Sequence, residues 1–492
     1  MQLRHGGATH TLAAYGRDRL HREISRSQGV LSQETHYDTA GRITQRTVLD
    51  ARRELVFERR YRWDRTDQIV QQIHTDATPA TPGEKYSQYL WGYDASGQVT
   101  KAVEPQKEER FFWDPAGNRT EEHRNPVWHN LLLRLDGLKL DYDGFGRLVQ
   151  RRDRSGVIQH FTYDDEQRVK EITFTGHAEF RKVEYRYDPL GRRTHKILWR
   201  YNDPQPETIR FDWQGLQLAG EQSDREPDHY VQYVYTEGSY EPLARIDSVF
   251  DDCEIYWYHT ELNGLPERVT DADGHTVWRG QFSTWGKTER ELSVPQWQVP
   301  QNLRFQGQYL DRESGLHYNL FRYYDPVAGR YTQMDPIGLL GGINTYGYVP
   351  DPLTWVDPLG LCFSKRLGDF GEAKVKSELE ASGKYIDVFS IQNKSNNGID
   401  LVGLRHDGKY DFFEVKTNTT GRVGELSKRQ SRAPAFINTV LRKDVPNGSY
   451  DLNGHDVRDI LKNMGDARVV DVFVERAANG RWFVSKYLIS VW

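Results

Sequence analysis

The chain has 492 residues, of which 37% are hydrophobic and 12% aromatic, and its formal net charge at pH 7 is −5. This length exceeds what one hydrophobic core supports, so two to four domains are expected. Two cysteines, Cys253 and Cys362, exclude a disulfide framework. No apolar run is long enough to span a bilayer. The first residues, M-Q-L-R-H-G-G, lack the apolar stretch of a secretory signal, so we expect any export to use another route.

The charge is unevenly distributed along the chain. Residues 362–492 contain 21 Lys or Arg and 17 Asp or Glu, a net charge of +4, whereas residues 1–361 carry a net charge of −9. A mildly basic C-terminal part is compatible with a nucleic-acid substrate, because phosphates attract Lys and Arg.

Residues 1–210 contain an internal repeat in which an aromatic residue and Asp are followed by a turn and then usually by Arg or Gln. Its copies lie at residues 37–42, 63–68, 93–98, 113–119, 142–147, 163–168 and 187–192. The aromatic residue is expected to end one strand, Asp and Gly to form a tight turn, and Arg or Gln to open the next strand. Units at this spacing bury their apolar faces on their neighbours. The pattern predicts one hairpin per repeat, stacked as a solenoid, a propeller or an array.

Residues 211–320 keep the β-strand pattern but lose strict repetition, so we predict a β-rich continuation of the same core. His259 lies in an aromatic strand of this region. A single histidine in such a strand is usually packed and hydrogen-bonded, and we therefore assign it no chemistry.

Residues 321–361 form a third predicted region, which contains two copies of D-P-x-G-L at residues 335–339 and 357–361. Proline fixes φ and glycine permits chain reversal, so each copy predicts a rigid turn. We call residues 322–361 the junction segment, because the sequence changes to an α/β pattern at residue 362.

The repeats, the segment Y-H-T-E-L-N-G-L-P and the ending R-Y-Y-D-P…G-R-Y…D-P-I-G-L…D-P-L-G-L resemble the Rhs and YD-repeat proteins. The resemblance covers roughly residues 30–361. It implies a coiled antiparallel β-sheet that forms a hollow shell, capped by the junction segment, which encloses a variable C-terminal toxin. The long N-terminal portion of that family, with its delivery elements, has no counterpart in this sequence.

The second D-P-x-G-L copy also resembles the family's self-cleavage motif, with the cut after Leu361. Such chemistry needs two carboxylates near one peptide bond, one ionised and one protonated, and close carboxylates have split pKa values. Asp335 and Asp357 are the candidates, and Arg322 is expected to polarise the carbonyl or to steady one carboxylate. Two alternatives stay open: both motifs are only turns, or Cys362 is a thiol nucleophile.

Residues 362–492 predict a small α/β domain. Residues 365–383 have helical periodicity, and a strand and a polar loop follow. Residues 398–417 predict a hairpin whose turn is Asp407-Gly408. The strand period of two places Glu414 and Lys416 on one face, with Asp400 nearby on the first strand. Two carboxylates and a lysine suit phosphodiester hydrolysis with Mg²⁺, or Mn²⁺, held by Asp400 and Glu414.

This arrangement resembles the restriction-endonuclease-like, or PD-(D/E)xK, nucleases, although the proline usually written in the motif is absent. The resemblance implies catalytic roles for Asp400, Glu414 and Lys416. It adds Glu372 from the preceding helix and Gln430 from the following one. Phosphate contacts are expected from three basic residues, Lys428, Arg429 and Arg432. The alternative is a surface cross-strand pair on the hairpin and a solvated basic helix.

The sequence therefore predicts an Rhs-family toxin of interbacterial competition, whose shell encloses a metal-dependent nuclease released by self-cleavage after Leu361. The expected substrate is DNA or RNA. The resemblance implies two further partners, a cognate immunity protein and a type VI-like secretion machinery engaged through an N-terminal part missing from this sequence. It would be made in the bacterial cytoplasm, exported without a signal peptide, and active in the target-cell cytoplasm. The alternative function is a non-enzymatic surface or carbohydrate-binding repeat protein with an inert C-terminal domain.

Overall fold

The computed structural model describes the chain except for residues 6–7, 21, 80–84, 122–126, 251, 296, 298, 362–374, 377, 381, 393–397, 419–436, 438–439, 445–455, 477–481 and 492. The side chains of some strand residues, Lys416 among them, also lie outside the description. The chain divides into two compact units, Met1–Asp335 with Gly342–Leu361 and Pro336–Gly341 with Cys362–Trp492. No helix among the described residues is long and apolar enough to cross a membrane.

The first unit consists of antiparallel strands in which neighbours along the chain are mostly neighbours in a sheet. A short hairpin contains β1 (Gln2–His5) and β2 (Ala8–Thr11). A nine-stranded sheet contains β3 (Ala14–Arg17), β4 (Glu23–Gln28), β5 (Leu31–Tyr37), β6 (Ile43–Leu49), β7 (Leu55–Trp63), β8 (Ile69–Asp76), β9 (Tyr86–Tyr93), β10 (Val99–Glu104) and β11 (Lys107–Arg110). Strands β12 (Phe112–Trp113) and β13 (Arg119–Thr120) pair with each other, and a 3₁₀ turn follows at Trp128–Asn130.

A fifteen-stranded sheet continues the same order. It contains β14 (Arg134–Leu135), β15 (Leu138–Tyr142), β16 (Leu148–Arg152), β17 (Ile158–Tyr163), β18 (Val169–Thr175), β19 (Phe180–Tyr187), β20 (Arg193–Arg200), β21 (Glu207–Gln214), β22 (Gln217–Ser223), β23 (His229–Tyr235), β24 (Pro242–Val249), β25 (Asp252–Thr260), β26 (Pro266–Thr270), β27 (Thr276–Phe282) and β28 (Thr288–Ser293). The boundary predicted at residue 210, between the repeat region and its continuation, falls inside β21. The fifteen-stranded sheet continues across this position without a break.

The YD repeats form the hairpins that the sequence predicts. In the copy at residues 187–192, Asp188 Oδ1 accepts hydrogen bonds from Leu190 N at 2.9 Å and Arg192 N at 3.0 Å. Asp188 Oδ2 pairs with Arg192 Nε at 2.7 Å. Gly191 has a φ of 80°, which a side chain would disfavour. Asp therefore closes the turn and also fixes the Arg that opens the next strand.

In six of the seven repeats the aromatic residue also donates a hydrogen bond to a main-chain carbonyl of an earlier strand. Tyr163 donates its hydroxyl hydrogen to Leu148 O at 2.6 Å, and Tyr187 donates to Val169 O at 2.7 Å. The same contact is made by Tyr37 to Glu23 O, Trp63 to Ile43 O, Tyr93 to Ile69 O, Trp113 to Val99 O and Trp213 to Arg193 O. The apolar ring packs in the core while its polar end satisfies a main-chain carbonyl, which explains why Tyr and Trp occupy this position rather than Phe.

Buried ion pairs link the nine-stranded and fifteen-stranded sheets. Arg59 of β7 lies 3.0 Å from Glu267 of β26. Asp76 of β8 pairs with Arg279 of β27 at 3.0 Å and also with Arg268 of β26. These groups are about 200 residues apart in sequence, so only the tertiary fold brings them together.

A four-stranded sheet precedes and enters the junction segment. It contains β29 (Tyr309–Asp311), β30 (Leu316–Asn319), β31 (Arg322–Asp325) and β32 (Arg330–Tyr331), and every one of these strand residues is buried. Buried ion pairs fix it to the fifteen-stranded sheet: Asp311 lies 2.6 Å from Arg193, and Asp325 lies 2.7 Å from Arg151. This sheet provides the rigid base of the candidate cleavage site.

The second unit contains a five-stranded mixed sheet. Its strands are β33 (Tyr385–Gln392), β34 (Gly398–Arg405), β35 (Tyr410–Asn418), β36 (Met464–Arg476) and β37 (Trp482–Val491), with helix α1 (Val457–Lys462) before β36. Strands β35 and β36 are parallel, and the other neighbours are antiparallel. A 3₁₀ turn lies at Gly338–Gly341 and a π-helical turn at Val440–Asp444.

Strand β35 is the centre of that sheet and is buried on both sides. Phe412 packs in a cluster with Ile437 and Ile460, whereas Phe413 packs in a second cluster with Val375. A parallel pair such as β35 and β36 needs a crossover, which here contains the π-helical turn and α1.

Candidate functional sites

Arg322 is the centre of the candidate cleavage site. It lies in β31 and is 1% exposed. Its Nη2 lies 3.1 Å from Asp335 Oδ2 and 3.4 Å from Asp357 Oδ2. Its Nε donates to Gly360 O, and its Nη1 donates to Thr345 O at 3.2 Å. One guanidinium therefore holds both candidate carboxylates and a carbonyl next to Leu361.

Asp357 is held on several sides and is fully buried. Its Oδ1 accepts a hydrogen bond from Leu361 N at 3.1 Å, and its Oδ2 accepts one from Tyr331 Oη at 2.8 Å. Its main-chain carbonyl accepts one from Asn319 Nδ2 at 2.8 Å. The carboxylate thus contacts the main chain of Leu361, the residue whose carbonyl belongs to the predicted scissile bond.

Asp335 enters the site from the first D-P-x-G-L copy. Its main-chain N–H donates to Thr345 O at 2.7 Å, and its carboxylate is buried beside Arg322. Thr345 O also accepts from Arg322, so one carbonyl positions both residues. The structure therefore brings together Arg322, Asp335, Asp357 and Leu361.

Two glycines allow the second D-P-x-G-L turn to fit. Gly360 has a φ of 67°, and a Cβ at this position would clash with Asn319 O. Gly307, with a φ of 81°, presses against Pro358 so closely that a Cβ there would clash with the Pro358 carbonyl. The close backbone approach explains the glycine of the motif and identifies Gly307 as a further contributor.

Two other acidic residues of the junction segment have structural surroundings. Asp325 pairs with Arg151 and accepts a hydrogen bond from Val327 N at 2.9 Å. Asp351 accepts from Leu353 N at 3.0 Å and from the Thr354 hydroxyl at 2.9 Å, and burial raises its pKa to about 6. Neither carboxylate has a contact with Arg322 among those that the structure describes.

Asn319 and Tyr331 belong to the site although sequence reasoning missed them. Tyr331 stacks on Arg322, with 3.6 Å between the guanidinium carbon and the ring centre. Asn319 Nδ2 donates to the Tyr331 hydroxyl at 2.8 Å. The only signal in the sequence was position, because both residues flank the R-Y-Y-D strand within strands that pair with it.

The candidate nuclease residues lie on β34 and β35. Pairing of the two strands runs from Leu404↔Tyr410 to Leu401↔Phe413, and Asp400 is the next residue beyond it. Asp400 Oδ2 accepts a hydrogen bond from Val415 N at 2.7 Å, which places its carboxylate beside the backbone that follows Glu414.

Glu414 is 1% exposed. The alternative interpretation as a surface cross-strand pair therefore does not describe it. A carboxylate is rarely buried without a cation, a positive side chain or several donors nearby. Carboxylate oxygens of Asp400 and Glu414 on adjacent strands are a donor set that fits a hard divalent cation such as Mg²⁺.

Several predicted site residues lie outside the described part of the chain. These are Cys362, Glu372, Lys428, Arg429, Gln430 and Arg432. The main chain of Lys416 is described, and it pairs with Asp471 of β36, but its side chain is not. His259, to which the sequence analysis assigned no chemistry, is buried, and its Nε2 lies 3.0 Å from the Thr270 hydroxyl.

Long antiparallel sheets of YD hairpins, followed along the chain by a buried D-P-x-G-L turn, are the features of a YD-repeat shell protein. The family model described as Teneurin YD-shell matches residues 8–340, more than half of the chain, and the chain belongs to this family. The resemblance to Rhs and YD-repeat proteins found in the sequence is thereby confirmed.

Curated relatives match over most of this chain. It is 36% identical over 399 residues to the double-stranded DNA deaminase toxin A of Burkholderia cenocepacia (75% of this chain, 27% of the relative). It is 29% identical over 420 residues to the toxin protein Tse5 of Pseudomonas aeruginosa (71% and 31%). It is 30% identical over 368 residues to the probable deoxyribonuclease RhsA of Dickeya dadantii (70% and 24%). The chain thus spans about a third or less of the length of these relatives.

Solved structures support the fold. The Tc holotoxin pore of Photorhabdus luminescens matches with a TM-score of 0.54 and 16% identity, over 73% of this chain and 19% of that chain. The complex TcdB2-TccC3-Cdc42 matches with a TM-score of 0.51 and 17% identity, over 72% and 20%. At this identity the likeness concerns the fold alone.

Proposed function

We propose that this chain is the C-terminal part of an Rhs-type toxin of interbacterial competition, which cuts itself after Leu361 and thereby releases a metal-dependent nuclease. The observation that carries the proposal is the convergence of two buried carboxylates, one buried guanidinium and the main chain of Leu361. The names of the relatives, two of them toxins and one a probable deoxyribonuclease, support the same class of function.

Self-cleavage is hydrolysis of the Leu361–Cys362 peptide bond. One carboxylate of the Asp335–Asp357 pair takes a proton from water, whose oxygen forms a bond to the Leu361 carbonyl carbon. The C–N bond breaks, and the other carboxyl group gives its proton to the departing nitrogen. Arg322 holds both carboxylates and the Gly360 carbonyl, so the bond is presented in a fixed orientation.

For the second unit we propose phosphodiester hydrolysis. Asp400 and Glu414 would hold Mg²⁺ or Mn²⁺, which supplies an acidified water and offsets developing negative charge. Lys416 would orient that water, and Glu372 and Gln430 would complete the site. Residues 362–492 do not fit the zinc deamination chemistry suggested by the name of one relative, because zinc deaminases need cysteine ligands and these residues contain one cysteine, Cys362.

The proposed partners follow from this activity. The substrate is DNA or RNA, contacted in part by Lys428, Arg429 and Arg432. A producing cell needs a cognate immunity protein to survive its own nuclease. Delivery would use a type VI-like secretion machinery, and the nuclease would act in the target-cell cytoplasm.

The test is electrophoresis of the purified full chain followed by N-terminal sequencing of the smaller product. We expect two fragments, the smaller beginning at Cys362, and an intact chain for Asp335→Asn or Asp357→Asn. Asp325→Asn is the matched control, since it changes a buried aspartate of the same segment that pairs elsewhere. An intact wild-type chain would reject self-cleavage and favour the non-enzymatic surface or carbohydrate-binding protein. Cutting that persists in both site variants would reject the role of the two aspartates.

A further inference from the structure

Tyr331 occupies a special position beside the candidate carboxylates. It lies in β32 and is 1% exposed, and its hydroxyl donates to Asp357 Oδ2 at 2.8 Å. Its ring lies against the Arg322 guanidinium. Burial and the neighbouring Asp357 raise the pKa of the Tyr331 hydroxyl well above its usual value, so the group stays protonated and able to donate.

Asn319 determines the direction of that hydrogen bond. Its Nδ2 donates both to the Tyr331 hydroxyl and to the Asp357 carbonyl, each at 2.8 Å. A hydroxyl has one hydrogen, so a tyrosine oxygen that accepts from Asn319 directs its own hydrogen to Asp357. Asn319 therefore fixes Asp357 twice, through the main chain and through Tyr331.

The groups around Asp357 favour its charged form. The carboxylate accepts hydrogen bonds from Tyr331 and Leu361 N and lies 3.4 Å from Arg322. Donors to an ionised carboxylate lower its pKa. The other titratable groups that face it are Asp335, whose charge would oppose that of Asp357 if both carboxyl groups were ionised, and Tyr348, whose hydroxyl is kept neutral by burial.

We propose that Tyr331, oriented by Asn319, is a positioning residue that keeps Asp357 ionised and so makes Asp357 the base in self-cleavage. This inference rests on the proposed self-cleavage, and it assigns the role of base to Asp357 and the role of acid to Asp335. Asp357 takes a proton from water as the water oxygen bonds to the Leu361 carbonyl carbon. The Leu361–Cys362 bond breaks, and protonated Asp335 gives its proton to the departing nitrogen. At the end Asp357 carries the proton and Asp335 the charge, so protons and electrons balance.

The experiment measures the pH dependence of cleavage of the full chain. Uncleaved chain is isolated in urea, diluted into buffers from acidic to alkaline pH, and followed by electrophoresis. In Tyr331→Phe we expect the acidic limb of the rate profile to move to a pH about one unit higher. At pH values below that limb, the cleavage rate should therefore be about tenfold lower than in the wild type. Asn319→Ala, a second variant, should move it in the same direction, because the hydroxyl is then free to turn away.

Tyr324→Phe is the matched control. Tyr324 is equally buried in the adjacent strand, but its hydroxyl donates to Trp285 O at 2.9 Å. Its removal should leave the limb in place, and an equal displacement in this control would overturn the inference. The inference would also be overturned if the wild type cleaves, Asp357→Asn does not, and both Tyr331→Phe and Asn319→Ala keep the wild-type pH profile. A wild-type chain that never cleaves rejects the proposed self-cleavage itself.

Discussion

At the scale of single residues, the two candidate sites use buried charge in different ways. Arg322 is surrounded by two carboxylates, two carbonyls and an aromatic ring, so its charge is fully compensated inside the unit. Glu414 is equally buried, and its neighbour across the hairpin is another carboxylate, Asp400. A cation between such groups would offset the cost of burying both.

The nuclease proposal predicts that Glu414→Gln abolishes nucleic-acid cleavage without unfolding the chain. Glutamine keeps the shape but loses the charge that holds a divalent ion. We expect the rate to fall at least about a hundredfold. The measurement is cutting of plasmid DNA and transfer RNA by the purified full chain with Mg²⁺, with and without a chelator.

Asp407→Asn is the control for that experiment, since Asp407 is exposed in the turn of the same hairpin and pairs with Arg405. It should cut at the wild-type rate. A wild-type protein that cuts neither DNA nor RNA, or a Glu414→Gln variant as active as the wild type, would reject this role.

At the scale of elements, the YD hairpin combines a turn and a cross-link. The sequence predicted the turn because Asp, Gly and Arg each have a local role in it. It predicted only an inward aromatic ring, whereas the structure adds a hydrogen bond from that ring to the preceding repeat. Each repeat is thus stabilised by its neighbour, as expected for stacked units.

Removing one cross-link should weaken the first unit measurably. Tyr163→Phe keeps the ring, over which Arg147 lies at 4.7 Å, but deletes the bond to Leu148 O. The buried carbonyl loses a donor, so we expect a loss of about 1 kcal/mol of unfolding free energy. Denaturant unfolding followed by tryptophan fluorescence measures it. Tyr201→Phe is the control, because the Tyr201 ring is exposed although its hydroxyl also donates to a carbonyl, Phe174 O. This variant should lose less unfolding free energy, and an equal loss would contradict the stabilising role of the Tyr163 cross-link.

At the scale of the whole molecule, burial of ionisable groups makes the stability of the first unit depend on pH. Glu261 and Glu267 lie close to each other and to His74. Burial, and then the charge of Glu267, raises the pKa of Glu261 to about 8. Burial lowers the pKa of His74 well below its usual value. The fold therefore favours the neutral form of both groups.

The two pKa shifts determine whether the stability of the first unit rises or falls with pH. A raised carboxyl pKa contributes stability at low pH that is lost as the pH rises through the folded value, so Glu261 should destabilise the unit increasingly up to about pH 8. The contribution of neutral His74 is complete above its unfolded pKa of about 6.5. Between about pH 6.5 and 8 we therefore expect a net loss of about 2 kcal/mol from Glu261.

Glu261→Gln should remove that part of the pH dependence, since glutamine does not titrate and still accepts from Gln72 Nε2, which lies 2.7 Å from Glu261 Oε2. The measurement is the unfolding midpoint at several pH values. Glu237→Gln, at an exposed turn position, is the control and should keep the wild-type slope. If the unfolding midpoint of Glu261→Gln depends on pH as steeply as that of the wild type, other groups cause the pH dependence.

The sequence by itself determined the local features. It fixed the hairpins through Asp and Gly turn chemistry, the junction segment through its two D-P-x-G-L copies, and the candidate acids through their residue types. Each of these depends on neighbours within a few positions, which is the range over which turn geometry and strand alternation act.

Only the tertiary structure decided which distant groups meet. It divided the repeats among three sheets, paired Arg59 with Glu267 across two of them, and placed Asn319 and Tyr331 beside Asp357. It also buried Glu414, because β35 is covered on both faces, on one by a cluster that contains Ile437 and Ile460 and on the other by a cluster that contains Val375. Contacts of this kind arise from packing over long sequence separations, so residue type alone does not reveal them.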